Sequence, residues 1–129
     1  MIDESKIIRR FDNKGNCIYA EYPSGYKEWM KYDEDNNCIY NKNGFHTEWF
    51  WKYDERSNLI YNRIFDGYDI NNDYEEWSTY DKNNNLIYFK NVYNYEVWYK
   101  YDENNKLIYT MTVEDNELVC CKIPRQVIF

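Results

Sequence analysis

The chain has 129 residues, enough for one domain. It carries 16 Tyr, 6 Phe and 5 Trp, with a formal net charge of −7 and an isoelectric point near 4.7. Phosphate binding draws on Lys and Arg to release counterions, so this balance argues against nucleic acid and favours a basic protein partner. The opening stretch, MIDESKIIRRF, has no apolar run of a signal peptide, and nowhere do eighteen apolar residues follow one another. The expectations are therefore a cytoplasmic location and no membrane contact.

In chain order the first signal is Phe11-Asp12, and related pairs return at Tyr32-Asp33, Tyr53-Asp54, Tyr80-Asp81 and Tyr101-Asp102. Three of the four intervals are 21 residues and the third is 27, a fixed period that marks a repeat architecture. After each pair come three polar residues, then Asn16, Asn37, Asn58, Asn85 or Lys106, then a run of the type CIY or LIY. Asp at the start of a type I turn accepts bonds from the backbone amides ahead of it. Gly15, Asn36, Ser57, Asn84 and Asn105 stand where a three-residue hairpin loop requires positive φ, and Ser57 suits that place least.

Each unit is thus two short runs of ring and branched residues joined by a turn. The predicted fold is all-β: an antiparallel meander of about nine or ten short strands in a curved or partly closed sheet. It would form one domain over 1–129, with repeats at about 10–113 and a cap at about 114–129. Placing Asp33 opposite Asn37 puts Tyr32 opposite Cys38, Lys31 opposite Ile39 and Met30 opposite Tyr40. In that register one face, the expected core, holds Tyr32, Tyr53, Tyr80 and Tyr101 together with Tyr19, Tyr40, Tyr61, Tyr88 and Tyr109. The other holds Trp29, Phe50, Trp77 and Trp98 beside the isoleucines, with Lys31, Lys52, Lys100, Glu48, Glu75 and Glu96. A full row of such rings in water would forgo about 1.5–3 kcal/mol each. That second face therefore calls for curling of the sheet or for a partner.

Cys17 and Cys38 occupy the position of Leu59, Leu86 and Leu107, which reads them as small hydrophobes. Adjacent Cys120 and Cys121 point to opposite faces of a strand and do not make a metal-ligand spacing, so no metal or other cofactor is expected. His46, in NGFHTEW, belongs to a surface hairpin. The six extra residues between Tyr61 and Tyr80, in FDGYDINND, enlarge one loop and bring Asp66, Asp69 and Asp73. The tail ELVCCKIPRQVIF, with Pro124, reads as a cover for one sheet edge. No phosphate loop, nucleophile elbow or HExxH is present, Glu75 and Glu76 point to opposite faces, and an enzyme is not expected.

The phrases WYKYDENNKLIY, WKYDERSNLIY and KYDEDNNCIY resemble the tyrosine-aspartate repeats of RHS proteins over roughly residues 10–113. The resemblance implies curling β-sheets of the kind that enclose secreted toxins, and a setting that includes small immunity proteins of toxin systems. EVWYKYDENNKLIY is also similar to choline-binding and glucan-binding repeats, which implies a carbohydrate module, although no Gly-Trp motif is present. The leading expectation is a cytosolic immunity or antitoxin protein that binds a cognate basic toxin domain such as a nuclease. Its partner-binding residues would be Trp29, Trp77, Trp98, Glu75, Glu76, Asp66, Asp69 and Asp73. A carbohydrate-binding module and a structural repeat fragment without ligand are the alternatives.

Overall fold

The computed structural model describes residues 3–122. It is one eleven-stranded antiparallel sheet in which every strand pairs with its neighbours in sequence. The strands are β1 (Ile8–Phe11), β2 (Cys17–Glu21), β3 (Lys27–Tyr32), β4 (Cys38–Asn43), β5 (Glu48–Tyr53), β6 (Leu59–Phe65), β7 (Tyr74–Tyr80), β8 (Leu86–Asn91), β9 (Tyr95–Tyr101), β10 (Leu107–Glu114) and β11 (Glu117–Lys122). The sheet is open, with β1 and β11 at its edges. Single 3-10 turns at Glu4–Lys6 and Ile70–Asn72 are the described helical elements. The meander matches the sequence expectation in class and topology. Of the expected edge cover, β11 is itself the edge strand, and Pro124 lies outside the described residues.

The Tyr-Asp phrase forms a hairpin corner in all five copies. Gly15, Asn36, Ser57, Asn84 and Asn105 have φ of 84°, 64°, 62°, 64° and 63°. Each corner is closed by two backbone bonds, as in Asp33 N–H to Asn37 O at 2.9 Å and Asn36 N–H to Asp33 O at 3.2 Å. The Asp33 carboxylate accepts from the amides of Asp35 and Asn37, both at 2.9 Å, and from Asn37 Nδ2 at 3.2 Å. These bonds satisfy loop amides that no strand could reach, which is why the Asp-to-Asn spacing is invariant where both residues occur.

Adjacent corners are then tied together along the sheet edge. Asn16 Nδ2 donates to Asn36 Oδ1 at 2.9 Å, Asn37 Nδ2 to Ser57 Oγ at 3.1 Å, Asn58 Nδ2 to Asn84 Oδ1 at 2.8 Å and Asn85 Nδ2 to Asn105 Oδ1 at 2.9 Å. At the other end of the sheet Asn43 and Asn91 take the aspartate's place in two turns, accepting from the amides of Phe45 and Thr47 and of Tyr93 and Tyr95, and φ is positive at Gly25, His46 and Asn94.

The register differs from the sequence expectation in one repeated respect. Tyr32 does face Cys38, but Lys31 faces Tyr40, so Ile39 is the extra residue of a β-bulge. The same shift leaves Ile18, Ile60, Ile87 and Ile108 as the second of two residues opposite one. A one-residue slip sends every later side chain to the opposite face. Tyr19, Tyr40, Tyr61, Tyr88 and Tyr109 therefore lie not with Tyr32, Tyr53, Tyr80 and Tyr101 but with Trp29, Phe50, Trp77 and Trp98.

At each bulge the hairpin also parts from its next neighbour, and a tyrosine hydroxyl fills the gap in the ladder. Tyr32 donates to Cys17 O at 2.9 Å, Tyr53 to Cys38 O at 3.0 Å and Tyr101 to Leu86 O at 2.8 Å. Cys17, Cys38, Leu59, Leu86 and Leu107 stand opposite Phe11, Tyr32, Tyr53, Tyr80 and Tyr101, the equivalence read from the repeat. All four cysteines are free thiols.

No face of the sheet is a closed core, contrary to expectation, because the described elements form a single layer. Among the described residues only Ala20 and Val97 are buried, at 3% and 4% exposure. The accessible surface of 9631 Å² exceeds the ~7,400 Å² that mass scaling gives for a globular chain of 16.1 kDa. Stability must then come from half-buried rings, cross-strand pairs and the bonded corners.

Candidate partner-binding surfaces

The bulges sort the sheet into two unlike faces. The sheltered one carries Met30, Trp49, Trp51, Tyr53, Phe89, Val97 and Tyr99, and is sparse in charge. On the other, Trp29, Lys31, Lys52, Trp77, Lys90 and Lys100 are exposed while their sheltered-face neighbours on the same strands are not. Trp29 and Trp77 retain 38% and 36% of their surface.

This exposed face is a lattice of ring pairs flanked by cations. Tyr19 packs on Trp29 at 5.8 Å between ring centres, Tyr40 on Phe50 at 5.1 Å, Tyr61 on Trp77 at 5.8 Å and Tyr88 on Trp98 at 5.3 Å. On one side of the first three pairs sit Arg10, Lys31 and Lys52, at 5.1, 5.2 and 5.2 Å from the tyrosine ring centres. On the other side Lys42, Arg63 and Lys90 stand opposite Trp29, Phe50 and Trp77. The Arg10, Lys31 and Lys52 contacts each contribute roughly 0.5–1 kcal/mol at an exposed site, through attraction of the cation to the ring face.

The glutamates of this face are already engaged. Glu21, Glu48, Glu75 and Glu96 face Lys27, Lys42, Arg63 and Lys90 across the ladder. Tyr19 and Tyr40 donate their hydroxyls to Glu21 at 2.9 Å and Glu48 at 2.6 Å, and Tyr88 donates to Glu96. Burial and the bond to Glu48 push the Tyr40 phenol up to about 12. The bond to Glu96, with burial, pushes Tyr88 up to about 12 as well.

The residues expected to bind a partner fall in three places. Trp29, Trp77 and Trp98 share the exposed face with Glu75, whose carboxylate pairs with Arg63 at 3.3 Å. Glu76 points to the sheltered face, as alternation requires, and accepts from the Tyr74 hydroxyl at 2.8 Å. The loop acids hold their own loop. Asp66 accepts from Tyr68 N–H at 2.9 Å and Asn72 Nδ2 at 3.0 Å, Asp69 caps Asn71 N–H at 2.9 Å, and Asp73 accepts from Asp66 N–H at 2.9 Å.

That enlarged loop lies against the β4–β5 turn, where the rings of His46 and Tyr68 meet at 5.7 Å. Gly67 is required there, because a Cβ on it would sit 2.5 Å from His46 O. At the same end of the sheet Tyr22, Pro23, Tyr26 and Phe45 line a shallow groove of about 750 Å³ with Asp3 and Lys6.

Missing from the expected set is the corner edge. The five loops from Asp12 to Lys106 place nine acidic residues against four cations along one line, with Glu34, Asp35, Glu55 and Glu103 exposed. The period was the signal that could have revealed it, since corners at a constant spacing must stack. Amide bonds hold the Asp12 and Asp81 carboxylates below the usual aspartate range, chiefly those from Asn16 and Asn85.

No protein-family model and no curated protein matches the chain. Solved structures do share its fold. Against the crystal structure of TcdB2-TccC3-Cdc42 the TM-score is 0.55 at 15% identity, and against TcdB2-TccC3 it is 0.53 at 14%. The Photorhabdus luminescens Tc holotoxin pore gives 0.55 at 16%. Each likeness covers 81% of this chain but 7% of the larger one. The sheet is thus of the kind found in Tc toxin complexes, in keeping with the tyrosine-aspartate resemblance.

Proposed function

We propose that the protein is a cytoplasmic immunity or antitoxin protein, which neutralises a basic toxin domain such as a nuclease by contact and without chemistry of its own. One observation carries the reading: the repeat concentrates carboxylates along an edge that is stiffened at every corner by hydrogen bonds. A rigid negative row steers a basic surface to it and lowers the ordering cost of docking. The sheet's likeness to toxin-complex structures supplies the setting.

The test is co-expression with the product of the adjacent upstream gene, scoring survival and co-purification. The intact protein should rescue growth, and E34K/D35K/E55K/E103K should lose both rescue and complex. Failure of the intact protein to do either would reject the proposal. A second reading, a structural strip of a larger β-wall, is favoured by the 7% coverage of the Tc chains and by the open edges at β1 and β11. It is distinguished by a folded protein with no partner in the same assay.

A further inference from the structure

We propose that the ring-and-cation face docks an acidic protein surface, at a site separate from the corner edge. The local charge of this face opposes the charge of the molecule. Eight lysines and arginines stand on it against four glutamates, in a chain whose net charge is −7. Since all four glutamates already face a cation across the ladder, the excess lies elsewhere. Of the eight, Arg63 alone among the described residues has a carboxylate within 4.0 Å, and Arg10, Lys31, Lys52 and Lys100 stand opposite tyrosines rather than glutamates across the ladder.

Those four cations form a row. Each precedes a Tyr-Asp or Phe-Asp corner by one residue, and the first three recur on every second strand, about 10 Å apart from sheet spacing. Beside them Trp29, Trp77 and Ile18 remain exposed. Exposed tryptophan and arginine are the groups that anchor protein interfaces, and the lysines around them supply charge that steers an acidic surface to the rings.

A folded acidic surface fits better than a polynucleotide. Lys31 is two residues from Asp33, roughly 7 Å along a strand. That is within one Debye length, about 8 Å at physiological ionic strength, of the acidic edge. A continuous phosphate chain along the row would be repelled by the corners throughout its length. Discrete carboxylates separated by apolar groups can meet the cations and cover the rings.

The probe is a twelve-residue peptide with glutamate at every third position and leucine between, titrated against tryptophan fluorescence. It should bind with an affinity that falls as salt rises, and the glutamine version should not bind. K31E/K52E/K100E should weaken binding at least tenfold, with the milder K31Q/K52Q/K100Q shifted in the same direction. K14E/K82E/K106E on the corner edge should leave it unchanged. Circular dichroism and the urea midpoint confirm that each variant is folded. Binding that ignores the face variants, no binding at low salt, or equal binding of a twelve-nucleotide oligothymidylate would overturn the proposal. Because no toxin is used, failure here leaves the neutralisation reading to its own test.

Discussion

Three tyrosine hydroxyls close the gaps where neighbouring hairpins part, and their removal tests the account of the bulges. Tyr32→Phe, Tyr53→Phe and Tyr101→Phe each delete one oxygen and leave Cys17 O, Cys38 O and Leu86 O without that donor. A neutral bond of this kind is worth about 1 kcal/mol net, more if water cannot replace it. The sites lie two or more strands apart, so the triple variant should lose about 3 kcal/mol, a large part of a typical 5–15 kcal/mol.

Tyr80→Phe is the internal control. Tyr80 follows the enlarged loop, and among the described residues its hydroxyl makes no equivalent bond. Urea unfolding followed by tryptophan fluorescence should show lower midpoints at unchanged slope for the three variants and little change for Tyr80→Phe. Equal losses at all four positions would show that the phenol matters for another reason, and no loss at any would refute the bridging role.

Ser57 is held at φ 62° while its hydroxyl accepts from Asn37, so Ser57→Asn keeps an acceptor and eases the backbone. It should raise stability by about 0.5–1 kcal/mol in the same assay. Gly67→Ala should cost about 1–3 kcal/mol or displace the enlarged loop, because its Cβ meets the His46 backbone; proteolysis of residues 66–73 reports the displacement. The corner aspartates Asp12 and Asp81 have folded pKa values below their unfolded ones. Their contribution is present above about pH 4, the unfolded range, and is lost as pH falls through the folded values. Melting temperature should therefore drop below pH 4, and less steeply in D12N/D81N. Tyr40 and Tyr88 have raised values, so their contribution holds below about pH 10 and is lost toward pH 12; absorbance at high pH should show two late phenols, with E96Q advancing one.

The strand-and-corner plan was legible in the residues themselves. Asp, three polar positions and Asn bond within five residues, and Gly or Asn at the fourth place admits positive φ, so local chemistry determines each hairpin. The Cys17 and Cys38 equivalence to leucine followed from the same count. Three features needed the tertiary structure. The bulge at Ile18, Ile39, Ile60, Ile87 and Ile108 lies inside each hairpin, and strict two-residue alternation passes over it, because an extra strand residue shows only in the pairing of the two strands. That single slip moved five tyrosines off the face expected to be the core and onto the opposite one, where they build the cation–ring lattice with the tryptophans and lysines. The third, the stacking of corners into one acidic edge, depends on the in-line repetition of hairpins, since aspartates 21 residues apart become neighbours only when the sheet is assembled.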